Sequence, residues 1–196
     1  MKGRIVPLTF LTLYSFLLVP TEHRQIKVQR GQPPLYEDRD GYEVLSLVLD
    51  DLSDQWKDKS LAICPLTTSA KDAFKAECPK IPEEFQGASE DFDSKVGKAR
   101  LKNEFSLKKN YRLVAPLHAS STTKEQADSK VKNQARAPYG TYYVAAVGFD
   151  AKRTHAVAFV EYFCGNLCGN STFYFLRKSG SGWLEAKEVP KCGRIY

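Results

Sequence analysis

The sequence predicts an α+β fold, with N-terminal helices packed on a C-terminal antiparallel β-meander of about four to five strands. Two observations carry that expectation. Tyr42, Leu45, Leu49, Leu52 and Trp56 recur at three- and four-residue steps, the spacing of one buried helix face. The C-terminal part instead holds four β-rich runs, Tyr142–Phe149, His155–Phe163, Ser171–Lys178 and Trp183–Val189. They are joined by Asp150-Ala151-Lys152-Arg153, by a turn containing Cys164 and Cys168, and by Ser179-Gly180-Ser181-Gly182. Neighbours connected so briefly run antiparallel.

In chain order, residues 1–21 form a signal-like apolar segment. Met1-Lys2-Gly3-Arg4 is a short basic lead, and Ile5 to Val19 follows without a charge, the layout of a secretory leader. As a helix, residues 5–20 would reach only about 24 Å, short of a hydrocarbon core of roughly 30 Å. Export is therefore expected, secreted or periplasmic, with membrane contact only through residues 5–20 if that segment stays uncleaved. Residues 22–39, with Gln32-Pro33-Pro34, read as a polar tether, and 40–196 as a single domain.

The first helix begins with Asp40 as its cap and Glu43 three residues on, as in a capping box. Leu61-Ala62-Ile63-Cys64, ending at Pro65, reads as a strand, and Ser69 to Glu77 as a short helix stopped before Pro79. From Pro82 to Phe105 the helical signal returns in pieces. Phe92, Val96 and Ala99 share a face there, interrupted by Gly87 and Gly97. Tyr111 to Val114 reads as another strand. Ala119 to Arg136 is polar and reads as a mobile loop or an exposed helix.

Cysteine usage agrees with export. Five cysteines (64, 78, 164, 168 and 192) are an odd number, so at least one is free or pairs with another chain. Cys164 and Cys168 flank a Gly/Asn-rich turn between strands. Opposed positions of an antiparallel pair bring Cα atoms to about 4.5–5.5 Å, within disulfide range. They are the leading bond, Cys64–Cys78 is the second choice, and Cys192 is left over.

Charge is uneven. Residues 22–93 carry 16 acids against 9 bases, a net of −7, and residues 98–136 carry 10 bases against 3 acids, a net of +7. A stripe like the second could bind an anionic polymer or lipid. It lacks the interleaved aromatics of a single-strand binder and any groove-reading motif, so nucleic acid is not expected. The simpler reading is that acidic and basic parts face one another or are each solvated.

Catalytic patterns are weak. A cysteine nucleophile needs a base at hand, yet His155 and Cys164 lie some nine residues apart along extended chain, and His118 has no evident partner. Redox sites commonly place Cys-x-x-Cys at a helix N-terminus, whereas here the spacing is Cys-x-x-x-Cys at a hairpin tip. Four zinc ligands do not cluster, no phosphate-binding glycine motif is present, and no cofactor is expected. Asp50, Asp51 and Asp54 fall mostly on the exposed face of the first helix. Asn170-Ser171-Thr172 has glycosylation spacing at a turn, and the amides around Gly165 and Gly169 could form an anion nest; glycine there is more simply explained by a positive φ.

Several fragments, in order, match one pattern: Tyr42 to Leu52, Leu61 to Thr67, Glu90-Asp91-Phe92-Asp93-Ser94-Lys95, and Asn110-Tyr111-Arg112-Leu113-Val114. Val147-Gly148-Phe149-Asp150, Ala156-Val157-Ala158-Phe159-Val160 and Gly182-Trp183 continue it. In these the chain resembles a family of exported bacterial α+β proteins of uncharacterised function. Gln134 to Gly140 departs from that family's Trp-rich segment, and Cys192-Gly193-Arg194-Ile195-Tyr196 from its Trp-x-Ser ending. The resemblance implies the fold and an exported location, and brings no activity and no catalytic residues.

The expectation is thus an exported domain of the cell envelope that binds an unknown protein or envelope component without catalysis. Its first candidate surface is the sheet face left uncovered by helices, or Phe173-Tyr174-Phe175. The rivals are an extracytoplasmic thiol–disulfide enzyme using Cys164 and Cys168, and an anionic-polymer binder using residues 98–136.

Overall fold

The structure, a computed structural model, describes residues 32–55, 57, 60–114, 140–165, 168–180 and 182–195. The signal-like segment, Trp56, His118 and the polar stretch 119–136 lie outside these residues. Residues Pro33–Tyr196 form one compact unit. Residues 33–38 belong to it rather than to a tether. Tyr36 is buried, its N–H donates to the Arg100 carbonyl at 2.9 Å, and its hydroxyl accepts from the Val147 N–H at 3.3 Å.

Helix α1, Arg39–Gln55, turns Val44, Leu45, Val48, Leu49 and Leu52 inward, the stripe its sequence spacing dictates. Its first turn is capped by Asp38, whose carboxylate accepts from the Gly41 N–H at 3.1 Å. Asp40 is already helical and pairs with Arg153 and Lys178 instead. Helix α2 covers Lys71–Glu77, and α3, Gln86–Ser94, follows a 3-10 turn at Glu83–Phe85. The shared face expected of Phe92, Val96 and Ala99 does not form. The helix ends at Ser94, Phe92 is buried and Val96 is 53% exposed.

Eight strands form one mixed, largely antiparallel sheet that curls into a half-barrel, in place of the simple meander of four to five strands. They are β1 Ser60–Ile63, β2 Asn110–Leu113, β3 Thr141–Val144, β4 Gly148–Phe149, β5 His155–Gly165, β6 Cys168–Ser179, β7 Gly182–Glu185 and β8 Cys192–Ile195. The order is β2-β1-β3-β5-β6-β7, with β4 also on β5 and β8 also on β6. Strand β1 runs parallel to both β2 and β3, and the remaining pairs are antiparallel. The expected run Tyr142–Phe149 is split, because Ala145 leaves β3 to bridge Thr68. The run ending at Val189 stops at Glu185 and turns. Strand β8 was hidden because Cys-Gly-Arg-Ile carries no apolar alternation.

Both faces of the sheet are covered, so the uncovered face expected from the sequence is absent around β5 and β6. Ala156, Ala158, Val160 and Tyr162 of β5, with Tyr174 and Leu176 of β6, face α1. Val157, Phe159, Phe173 and Phe175 point the other way, onto Phe74 of α2 and Phe85, Ala88 and Phe92 around α3. Two-residue alternation thus builds two cores from the same strands. Phe173, Tyr174 and Phe175 are 0%, 0% and 2% exposed, and are core residues rather than a partner surface.

Two further contacts position the periphery. Gly148 lets α3 meet β4 backbone to backbone, since a Cβ there would strike the Ala88 carbonyl and the Phe92 backbone. Asp91 then accepts from the Phe149 N–H at 2.7 Å, while Lys95 donates to Asp91 and to the Val147 carbonyl, both at 2.6 Å. Segment 102–108, with no regular structure, is strapped along α1 by three side chains one turn apart. The Tyr42 hydroxyl, Ser46 Oγ and Asp50 carboxylate accept from the N–H groups of Lys102, Ser106 and Lys108. Asp50 is accordingly buried, not on the exposed face.

Candidate functional site

Cys164 and Cys168 are bonded across the tip of the β5–β6 hairpin, with Cα atoms 5.2 Å apart. They are not directly opposed. Cys168 pairs with Gly165, and the register shifts between Phe163 and Gly165, so the bond closes an irregular end of the ladder. The second bond is Cys78–Cys192, Cα atoms 5.5 Å apart, joining the end of α2 to β8 across a sequence separation of 114. This replaces the expected Cys64–Cys78 pair, and Cys64 is the free, buried thiol. Sequence spacing could not find the bond, because its partners are 114 residues apart and are brought together by the tertiary fold.

Cys64, His155 and Asp150, other groups a catalyst could use among the described residues, are packed or hydrogen-bonded. Burial pushes the Cys64 thiol pKa up, against the opposing pull of the Leu66 backbone and Lys98, which suppresses the nucleophilic thiolate. His155 lies with Asp150 Oδ2 at 3.3 Å and Thr154 Oγ1 at 3.2 Å, and its ring packs edge-on against Phe85. A nucleophile relay needs the carboxylate on one ring nitrogen and the nucleophile on the other. Here both partners sit on Nδ1, so the trio is a turn clasp. Asp150 accepts from the N–H groups of Thr154 and His155 as well. Burial opposes its ionisation, but these hydrogen bonds outweigh that and hold its pKa down at about 2. Arg153, with φ of 53°, stacks 3.9 Å from the Phe149 ring centroid and bridges Asp38 and Asp40. That hydrogen bond to Arg153, opposed by burial and helped by Lys178, lowers the Asp40 pKa.

A cleft of about 530 Å³ lies between α1 and β7. Leu184, 55% exposed, and Leu47 supply its apolar part, and Glu43, Asp50, Asp51, Asp54 and Glu185 its acids. Most of those acids are already engaged. Lys109 pairs with Asp54 at 2.7 Å, and Lys191 with Asp51 at 2.8 Å and Glu185 at 3.2 Å. Tyr174 donates to Asp51 at 3.1 Å; burial and that carboxylate push its pKa strongly up. A second pocket of about 430 Å³ joins Cys64, Thr67, Lys98, Tyr143, Glu161 and Phe163.

In the described part of the basic stripe, two lysines pair with acids. Lys102 meets Glu37 and Glu104, and Lys109 meets Asp54. The Asn170-Ser171-Thr172 sequon lies inside β6, not at a turn. Asn170 Oδ1 is buried, and Ser171 donates to Glu77 at 3.1 Å. Gly169 is likewise a strand residue paired with Phe163, and positive φ is found instead at Gly140, Gly180 and Gly193. Among the described residues no three His, Cys, Asp or Glu side chains converge as a metal site, and no helix is long and apolar enough to cross a membrane. Comparison with protein-family models, curated proteins and solved structures returned no match.

Proposed function

We propose that the chain is an exported, disulfide-stabilised domain of the cell envelope that acts by non-covalent binding and not by catalysis. The observation that carries this reading is where the two cystines sit. They staple the hairpin tip and the C-terminal strand, elements that lie at the margins of the two cores. Such staples persist where thiols are oxidised and are rare where thiols are kept reduced. The basic lead and apolar run of residues 1–21 support the same compartment, as does the resemblance to exported bacterial proteins. The α1–β7 cleft, where Leu47 and Leu184 are rimmed by carboxylates, is the surface to test for a partner.

The test is expression of the full chain in a bacterial host, fractionation, and alkylation of thiols before and after reduction. The expected result is extracytoplasmic protein with one alkylatable cysteine after denaturation, Cys64, rising to five on reduction. Cytoplasmic protein with five free thiols would overturn the reading. If the protein is exported, an envelope component cross-linked at the cleft should be lost in Leu184→Asp with the fold intact.

A further inference from the structure

Strand β8 buries little and carries a covalent tether. We propose that β8 is a redox latch: a dithiol that reduces Cys78–Cys192 frees β8 from β6 and opens the sheet edge along Asn170–Phe173.

Strand β8 buries almost nothing of its own. Gly193, Arg194 and Ile195 are exposed, Ile195 by 83%, and Cys192 is only partly covered. Its attachments include a four-residue antiparallel register with β6 (Asn170 with Ile195 through Phe173 with Cys192), an Arg194–Glu77 ion pair at 3.6 Å, and the cystine. The Arg194 side chain is 61% exposed, which weakens its pairing with the largely buried Glu77, and four residues make a short edge strand. The cystine is therefore the attachment that decides whether β8 stays. Neither core depends on the strand. The α1-side core contains no β8 residue, and the other touches β8 only through Cys192 at its margin.

The two sulfurs are unequal. Cys78 is 4% exposed, at the end of α2, while Cys192 is partly exposed on the edge strand. An incoming thiolate therefore attacks the Cys192 sulfur. A bond forms between the reductant sulfur and Cys192 Sγ as the Cys78–Cys192 bond breaks, and the Cys78 thiolate leaves and takes up a proton. The second thiol of the reductant, as thiolate, displaces Cys192 in turn. The reductant departs as a cyclic disulfide, and Cys192 is protonated. Two electrons pass from the dithiol to the cystine.

Once β8 is released, the outer N–H and C=O groups of β6 that paired with it lose their partners. Strand β7 occupies the same side of β6 only at Leu176–Ser179, so the Asn170–Phe173 edge is left open to an added strand. The latch is a property of the bond and the strand and does not rest on the compartment proposed above.

The experiment is hydrogen exchange read by mass spectrometry on the full chain, oxidised and reduced with dithiothreitol. It is run on the wild type and on Cys164→Ser/Cys168→Ser, in which only the latch bond can change. Reduction should raise exchange at least tenfold in residues 191–196 and 170–173 while residues 44–52 and 156–162 keep their protection. A parallel incubation with a monothiol, glutathione, should leave its adduct on Cys192. The proposal is overturned if reduced β8 exchanges as slowly as oxidised, if all regions lose protection together, or if the adduct sits on Cys78.

Discussion

Alanine at Gly148 tests the claim that the α3–β4 junction is a backbone-to-backbone contact. The new Cβ would lie 2.5 Å from both the Cβ and the backbone N of Phe92, and closer still to the Ala88 carbonyl. Carbon atoms rest comfortably at about 3.5–4.0 Å, so α3 must retreat by about 1 Å. No flexible side chain can yield instead, because the obstacles are helix backbone and a Cβ fixed to it. That retreat also stretches the 2.7 Å bond from the Phe149 N–H to Asp91 and the 2.6 Å bond from Lys95 to the Val147 carbonyl. Overpacking costs about 1–3 kcal/mol, and a weakened hydrogen bond to a charged group about 1.5 kcal/mol more. The sum, about 2.5–4.5 kcal/mol, is a large part of the roughly 5–15 kcal/mol a domain holds in reserve. Gly148 has no left-handed φ, so the whole penalty is contact. Gly97 supplies the control. It has nothing within 4 Å of its would-be Cβ and no left-handed φ, so Gly97→Ala should stabilise by about 0.4–1 kcal/mol through the unfolded chain. Urea unfolding followed by circular dichroism gives both values. A Gly148→Ala protein within 1 kcal/mol of wild type would refute the reasoning, as would a Gly97→Ala protein that loses as much.

Two further perturbations address the turn clasp and the hairpin cystine. Asp150 has a folded pKa of about 2, below the usual carboxylate value of about 3.9. Its contribution is thus complete above about pH 4 and is lost as pH falls through about 2. Asp150→Asn should be less stable than wild type at neutral pH, and the gap in Tm should close between pH 4 and pH 2; a gap independent of pH refutes the assignment. Replacing Cys164 and Cys168 together by Ser removes a loop with a sequence separation of only 4, which the chain-entropy account values at about 2 kcal/mol. Urea titration should find a loss of that order with the fold intact. The wild type should show no turnover of a test disulfide, and turnover abolished by Cys164→Ser would favour the thiol enzyme instead.

The parts of the fold visible in the sequence are those where a single period decides the outcome. The three- and four-residue steps from Tyr42 to Leu52 placed α1, and the alternation from His155 to Phe163 and Ser171 to Lys178 placed the central hairpin. Alternation alone could not tell that both faces are buried. An apolar residue at every position, as in Phe173-Tyr174-Phe175-Leu176, is the signature of a strand covered on both sides, not of a binding face. The Cys164–Cys168 bond was legible because its partners are neighbours in sequence. Cys78–Cys192 was not, because no local property of either cysteine encodes a contact between α2 and β8.

The polar stripe on α1 explains why the acidic residues misled. Asp50, Asp51 and Asp54 all line the α1–β7 cleft, and the structure uses each differently. Asp50 is inward, taking the Lys108 N–H, Asp51 takes the Tyr174 hydroxyl and Lys191, and Asp54 takes Lys109. The informative spacing was the four-residue step of Tyr42, Ser46 and Asp50, which runs beside the apolar stripe. A helix that needs only solubility has no reason to keep hydroxyl and carboxylate acceptors in register with its buried face. Such acceptors are explained by a backbone segment lying along the helix with N–H groups to satisfy, and segment 102–108 is that partner. The same accounting assigns Asp91 to a backbone donor of β4 and Asp150 to donors at the start of β5. Asp50, Asp91 and Asp150 are thus means by which this domain satisfies irregular backbone beside its sheet.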